Sequence, residues 1–475
     1  MGRKNVLAFD FGASSGRAIL ATYENGGLTY REIHRFENNP VERDGTLYWD
    51  FETLLAEVRT GIQKAGEFDS IGFDTWGVDF GLLDSDGKLL QNPVHYRDTR
   101  TLGMAERAGA IMDAKTLYGK TGNQIMDMNS LFQLLAIQEK HPELLEKAKT
   151  LLFMPDLFAY MVSGTASCET SIASTSQMLD PATGKWSGDV LRAYGIPENL
   201  LLPTVPSGTV VGRVGNAKMV AVAGHDTQCA VAAVPTQRDD VAFLSCGTWS
   251  LLGTEMDRPI LSEKSLELNL SNELGVGGKV NYLKNIIGLW LVQESRRQWR
   301  REGHEYGFSE LDVLAKEAVP LQSFIDPDAP EFTPPGDMPG RVREFCRRTG
   351  QKVPETVGQV MRCIYDSLAL KYRYTLEMMQ EATGKHFSAL HLLGGGANSK
   401  LLCQFTASSC NLPVIAGPVE ATALGNIIIQ LIALGEIKNL AEGRALIAAT
   451  ETLVDYAPAD SGAWDKAYSA YKTIL

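Results

Sequence analysis

The stretch MVAVAGHDTQCAVAAV sets three polar side chains, His225, Asp226 and Thr227, into a run of small apolar residues. The flanks read as a buried strand (Met219 to Ala223) running into a buried helix (Gln228 to Val234). A carboxylate at such a junction is costly unless a hydrogen bond or a chemical task holds it there. Asp226 or Thr227 could cap the helix by accepting a backbone N–H bond. Residue types alone favour the cap, and a chemical task for Asp226 depends on what the rest of the chain offers. The two readings are compatible.

Three Gly-rich turns bear on the choice. GASSGR joins two strand-like runs, NVLAFDF and RAILATY, so its backbone N–H groups can face an anion. CGTWS offers a matching turn in the second half. LLGGGANS lies between a strand and a helix, where glycine permits close approach and a helix N-terminus favours negative charge. A structural turn explains any one of them; three together fit a phosphate-bearing ligand. Other nucleotide signatures do not account for them. AKTLYGKT (Ala114 to Thr121) has Ala114 where a P-loop needs its first Gly, and no strand leads into it. No GxGxxG follows a strand. YRDTR lacks the downstream Asn of a protein-kinase catalytic loop.

The elements that must position these residues repeat in two halves. FETLLAEVRTGIQKAG places Phe51, Leu54, Leu55, Val58 and Ile62 on one helical face and ends at Gly66. SIGFDTWGVDFGLLDSDGKLL holds two strand-like runs with a turn at Asp86-Gly87. Residues 101 to 165 are helical in pattern, punctuated by Pro155 and Gly164. The second half opens with the hairpin-like DDVAFLSCGTWSLLGTE, and DPDAPEFTPPGDMPGR reads as a surface loop. A long amphipathic helix runs from about Glu355 to Thr383 and stops at Gly384. ALHLLGGGANSKLLCQFTASS and VIAGPVEATALGNIIIQLIALG each read strand, turn, helix. This is a duplicated α/β architecture with its boundary near Pro235 to Asp240.

At 475 residues the chain is long enough for two domains, and 44% hydrophobic with 21% charged residues is ordinary for a globular protein. The net charge of −12 argues against nucleic acid or a membrane surface as a partner. No segment approaches the ~20 apolar residues of a membrane span, and MGRKNVLAF is too short for a secretory signal. The seven cysteines form no CxxC and no zinc spacing with the histidines, which reads as buried, reduced thiols in a cytoplasmic protein. Asp74, Asp79 and Asp98 read equally as site carboxylates or turn residues, and Arg97 and Arg100 as substrate ligands or surface partners of those acids. Trp76 and Trp249 read as packing.

The stretches DFGASSGR, DTWGVDF, HYRDTR, MPDLFAY, GHDT, CGTWSLLG, KNIIGLWLVQE, LLGGGANS and AGPVEATALGN run from about Asn5 to about Gly435. Through them the chain resembles the FGGY carbohydrate kinases, most strongly the branch that phosphorylates L-rhamnulose. The resemblance implies an α/β, actin-like ATPase (ribonuclease H-like) fold with two similar domains flanking a deep cleft. Residues 1–238 would hold the sugar and the catalytic base, and residues 239–475 the ATP. It implies Asp226 as the base and Gly77, His225, Asp226, Thr227 and Asn285 as sugar contacts. Ala13, Ser14, Ser15, Gly16 and Arg17 match the first phosphate-binding turn, and Thr248, Gln293 and Gly395 match further ATP contacts. Asp10 would hold Mg²⁺ through water. The partners implied are ATP, Mg²⁺ and L-rhamnulose, in a monomer or small homo-oligomer; another ketose (L-fuculose or L-xylulose) and a non-kinase actin-like ATPase are the alternatives. Cys346 and Cys363 match positions that can be disulfide-bonded in a relative. Two departures stand out: Cys246 where Ser is common, and NELGVGGK in place of Asn-Glu-Gly-Gly.

Overall fold

The structure, a computed structural model, describes residues 2–475 and divides into two compact units. Unit 1 comprises 1–237, 255–282 and 421–450; unit 2 comprises 238–254, 283–420 and 451–475. Unit 1 thus takes in two later stretches that hydrophobic periodicity does not signal.

Unit 1 is built on a six-stranded sheet. Its strands are β1 (Lys4–Phe11), β2 (Ser15–Glu24), β3 (Gly27–Glu37), β4 (Ser70–Asp74), β5 (Thr209–Val214) and β6 (Ala217–Ala221), in the order β5-β6-β4-β1-β2-β3. Strands β1 to β3 form an antiparallel meander, while β4 pairs parallel with β1 and with β6. Val6 to Phe9 are buried without break, the mark of a strand covered on both faces. Helix α1 (Phe51–Ala65) packs on the meander by its Phe51, Leu54 and Val58 face and ends at Gly66, as the apolar spacing predicts. The Ala421–Leu434 helix packs on β1 and β4. Its Asn426 donates to Asp74 Oδ2 (2.7 Å), and its Gln430 donates to Leu7 O (3.0 Å) and accepts from Ser70 Oγ (2.7 Å). Buried amides are tolerated here because each is hydrogen-bonded.

Two sequence expectations shift. The strand before His225 is Ala217–Ala221, and α2 spans Asp226–Ala232, so both lie about two residues earlier than hydrophobicity indicates. Pairing of β6 with β4 ends at Met219↔Ile71, and Val222 and Ala223 are buried beyond the strand. The 101–165 region contains a strand, Thr150–Phe153, that its uniform apolar character conceals. Pro155 sits in the first turn of the Met154–Ser163 helix, where a missing N–H is harmless, and Gly164 closes that helix in the left-handed conformation.

Unit 2 opens with the hairpin of β7 (Val241–Cys246) and β8 (Trp249–Met256). Strand β9 (Ala389–Leu393) pairs parallel with β7 and with β10 (Val414–Ala416), and β11 (Val454–Tyr456) closes that side antiparallel to β10. The long helix α3 (Val357–Thr383) starts at a capping box of Thr356 and Gln359 and stops at Gly384. Cys346 and Cys363 are free thiols with sulfur atoms 3.9 Å apart.

Candidate active site

Asp10, next to last in β1, is in register with Asp74 at the end of β4 and with Arg17 on β2. The Arg17 guanidinium holds Asp10 Oδ2 at 2.6 Å. One residue past β4, Thr75 bridges to His225: its N–H donates to Gly224 O (2.9 Å), and Asp226 N–H donates to Thr75 O (2.8 Å). Asp10, Asp74 and Asp226 therefore lie at the carboxyl ends of three neighbouring parallel strands, where open α/β sheets bind ligands. The turn before Arg17 is stapled by Asn38, which donates from its backbone to Ser14 O (3.1 Å) and from Nδ2 to Gly12 O (2.9 Å). Ala13 and Ser14 occupy that turn, and Ser15, Gly16 and Arg17 open β2.

The three acids differ in access. Asp74 is fully buried, and burial, reinforced by the charges of Asp10 and Asp226, raises its carboxyl well above the usual range. Its Oδ2 takes the Asn426 bond, while Oδ1 has no partner. Asp226 keeps 29% of its side chain exposed. Burial pushes it up to about 6 against the pull of the His225 ring and two hydrogen bonds from Thr227. Desolvation is the largest influence on its ionisation. The capping reading holds in part: His225 occupies the N-cap position without a side-chain capping bond, while Asp226 Oδ1 accepts from Thr227 N in the first turn at 2.6 Å.

Two acids not singled out from sequence hold this corner. Glu169 accepts from Ser171 N (2.9 Å), Ile172 N (3.1 Å), Ser207 Oγ (2.6 Å) and Gly224 N (2.9 Å), fixing the turn that delivers His225. Glu273 accepts from His225 Nδ1 at 2.9 Å. The only sequence signal for Glu273 is its place in NELGVGGK; Glu169 has none.

Gly77 borders His225: a Cβ there would lie 3.4 Å from His225 Nε2 and 3.3 Å from Thr175 Cγ2. Val78 beside it adopts φ 65°, a strained setting for a β-branched residue, with its N–H on Thr175 Oγ1 and its C=O on Ser130 Oγ. Asp79 is structural. It is buried under bonds from Trp49 Nε1 (2.6 Å), Trp76 Nε1 (3.0 Å), Tyr96 N (3.1 Å) and Gln133 Nε2 (2.8 Å), and burial pushes it up to about 6. Trp49 stacks on His95 and meets Trp76 at a tilt, each at 4.0 Å between ring centroids. Asp98 accepts from Arg100 N (2.9 Å) and Leu47 N (2.8 Å), so it too is a turn residue. Arg100 reaches Gln133 Oε1 (2.7 Å) and not a surface acid.

The remaining candidates belong to unit 2. Thr248, in the β7–β8 turn, donates from Oγ1 to Gln293 Oε1 (3.2 Å) on the Trp290–Arg301 helix. Gly395 starts the tight turn after β9, and a Cβ on the next residue, Gly396, would collide with Cys246 Sγ. Thr248, Gln293 and the Gly-rich turn thus gather round the CGTWS hairpin. Asn285 lies on the Val280–Ile287 strand and belongs to unit 2, whereas Gly77, His225, Asp226 and Thr227 belong to unit 1. Among the described residues no cluster of three His, Cys, Asp or Glu forms a metal cage, and no helix is long and apolar enough to cross a membrane.

Comparison with known proteins gives one answer. The FGGY family of carbohydrate kinases matches over residues 5–242 with its N-terminal domain and over 242–434 with its C-terminal domain. A rhamnulokinase of Bacteroides thetaiotaomicron is 42% identical over 487 aligned residues, covering 100% of both chains. A rhamnulokinase of Enterococcus faecalis is 40% identical, covering 94% of this chain and 92% of its own. Among solved structures, a ligand-bound xylulose kinase from Lactobacillus acidophilus superposes with TM-score 0.79 at 18% identity, covering 99% of this chain and 97% of its own. Plasmodium falciparum glycerol kinase with ADP gives 0.76 at 14%, also over 99% and 97%. These likenesses establish the fold as that of the FGGY kinases.

Proposed function

The chain belongs to the FGGY family of carbohydrate kinases, and on that premise we propose that it transfers the γ-phosphoryl group of ATP to the 1-hydroxyl of L-rhamnulose, giving L-rhamnulose 1-phosphate and ADP. Support for this acceptor comes from relatives named rhamnulokinase at 40–42% identity across nearly the whole chain. Membership of the family carries the use of ATP. A cytoplasmic setting is part of the same reading, supported by the seven free cysteines.

The observation that carries the mechanism is the contrast among the three strand-end acids: Asp226 alone is accessible while lying beside a histidine and a threonine. Phosphoryl transfer asks the protein for alignment, charge neutralisation and a proton acceptor. Asp226 accepts the proton of the attacking hydroxyl. His225, Thr227 and Gly77 line the sugar, and Asn285 adds a further contact. The turn from Ala13 to Arg17 offers backbone N–H groups and a guanidinium to phosphate. Thr248, Gln293 and Gly395 hold the nucleotide. Asp10 suits Mg²⁺ bound through water: it is a hard oxygen donor with one oxygen on Arg17, and no all-protein cage surrounds it among the described residues. When bound, the ion neutralises charge on the phosphates.

A panel of ketoses with coupled detection of ADP tests the reading. L-Rhamnulose is expected to give the highest kcat/KM. A higher value for L-fuculose or L-xylulose would reassign the substrate, and ADP release indifferent to added ketose would remove the kinase reading altogether.

A further inference from the structure

Glu273 lies on the Ser271–Leu274 strand with only 4% of its side chain exposed. That strand is pinned in unit 1: Asn272 Nδ2 donates to Gly122 O (3.0 Å), and Leu274 N donates to Ser174 Oγ (2.9 Å). The Glu273 carboxylate receives Gln228 Nε2 (2.8 Å) and His225 Nδ1 (2.9 Å) on Oε2, and Ser271 Oγ (3.4 Å) on Oε1. Gln228 is oriented in turn by Asn281, which donates to its Oε1. On the far side of the imidazole, Nε2 faces Asp226 Oδ1 at 3.4 Å, and the ring keeps only 9% exposure.

A ring whose Nδ1–H donates to Glu273 has two choices at Nε2. Neutral, it turns a lone pair toward the Asp226 carboxylate; protonated, it turns an N–H there. Only the second is attractive, and the low polarity of the surroundings enlarges the difference. We propose that Glu273 is a positioning residue which keeps His225 protonated, and that the His225 cation in turn keeps Asp226 ionised and ready to take a proton at neutral pH. The proposal rests on Asp226 being the base.

The other charged groups facing this corner agree with that direction. Glu169 lies behind the main chain of Gly224, Asp10 and Asp74 lie at the ends of β1 and β4, and Arg17 pairs with Asp10. Cys229 on α2 is held protonated by burial. Burial opposes a charged His225, yet the charge and hydrogen bond of Glu273, followed by Asp226 and Glu169, raise it above the ordinary value.

The decisive measurement is an NMR titration of the His225 Cε1–H signal in the wild-type protein, which needs neither turnover nor a variant. A midpoint above the ordinary value of about 6.5 is expected, and one at or below it overturns the proposal. In Glu273→Gln, the His225 midpoint is expected to fall by about one unit and the acid limb of kcat/KM to rise by about one unit. Glu273→Asp should return the limb toward its wild-type position. A Glu273→Gln enzyme that loses kcat with an unmoved acid limb would reduce Glu273 to scaffolding. Near-normal turnover by Asp226→Asn is a separate failure: it would remove the base and leave the His225 titration standing.

Discussion

At the turn end of the β1–β2 hairpin the last paired rungs are Asp10 with Arg17 and Phe11 with Gly16; at the same place in β7–β8 they are Ser245 with Leu251 and Cys246 with Ser250. The parallel neighbours differ in the same sense. Strand β4 brings Asp74 beside Asp10, whereas β9 brings Leu393 beside Ser245 and leads into Gly394. One hairpin thus carries an ion pair amid carboxylates. The other carries a thiol and a hydroxyl, with Ser250 Oγ and Tyr372 OH 2.7 Å apart and Cys246 Sγ 3.7 Å from the same phenol. The same supersecondary unit thus presents charged groups in unit 1 and neutral ones in unit 2.

That contrast can be broken in steps of falling size. Asp226→Asn removes the accessible acid and is expected to lower kcat by roughly 10²–10⁴ with the fold intact, read by steady-state ADP release and circular dichroism. The same variant should gain stability at neutral pH. Asp226 titrates at about 6 when folded against 3.8 as a free side chain, so the native state binds the extra proton between those values and stability falls as pH rises through that window. Denaturant melts should therefore show Asp226→Asn ahead of wild type by about 1–2 kcal/mol at pH 7.5 and level with it near pH 4.

Moving a carboxylate into the neutral hairpin is the next largest change. Cys246 is fully buried, and Cys246→Asp is expected to cost about 3 kcal/mol or more in thermal denaturation. Arg17→Ala strips the cation from Asp10 and should cost about 3 kcal/mol together with a higher KM for ATP. The pH dependence of kcat/KM should show an acid limb near 6, set by Asp226; a flat profile from pH 5 to 7 would contradict its role as base. Smallest of all, Cys246→Ser should shift stability by less than about 1 kcal/mol, since a hydroxyl can take up the Tyr372 bond.

What was legible in the chain was local. Gly66 and Gly384 end their helices where glycine can adopt a positive φ, and GASSGR and CGTWS announce the two hairpins. GHDT is visible because polar residues interrupt an apolar run. What was hidden depends on partners far along the chain. Asp79 and Asp74 stand in one short motif and look alike there, yet Trp49 and Gln133 make the first a scaffold, while Asn426 leaves the second half-satisfied. Glu273 meets His225 across 48 positions, and nothing near either residue encodes the meeting. The Thr150–Phe153 strand escaped because its apolar residues run without a break into those of the next helix.

Unit 1 draws its last segment from residues 421–450, and the amides that satisfy Asp74, Leu7 and Ser70 come from it. During translation, the emerging polypeptide therefore has its hairpins and its acids long before it has Asn426 and Gln430. The acidic corner stays unfinished until the ribosome has passed Gln430, so a nascent chain stalled at residue 282 holds His225, Asp226 and Glu273 without the helix that backs the sheet.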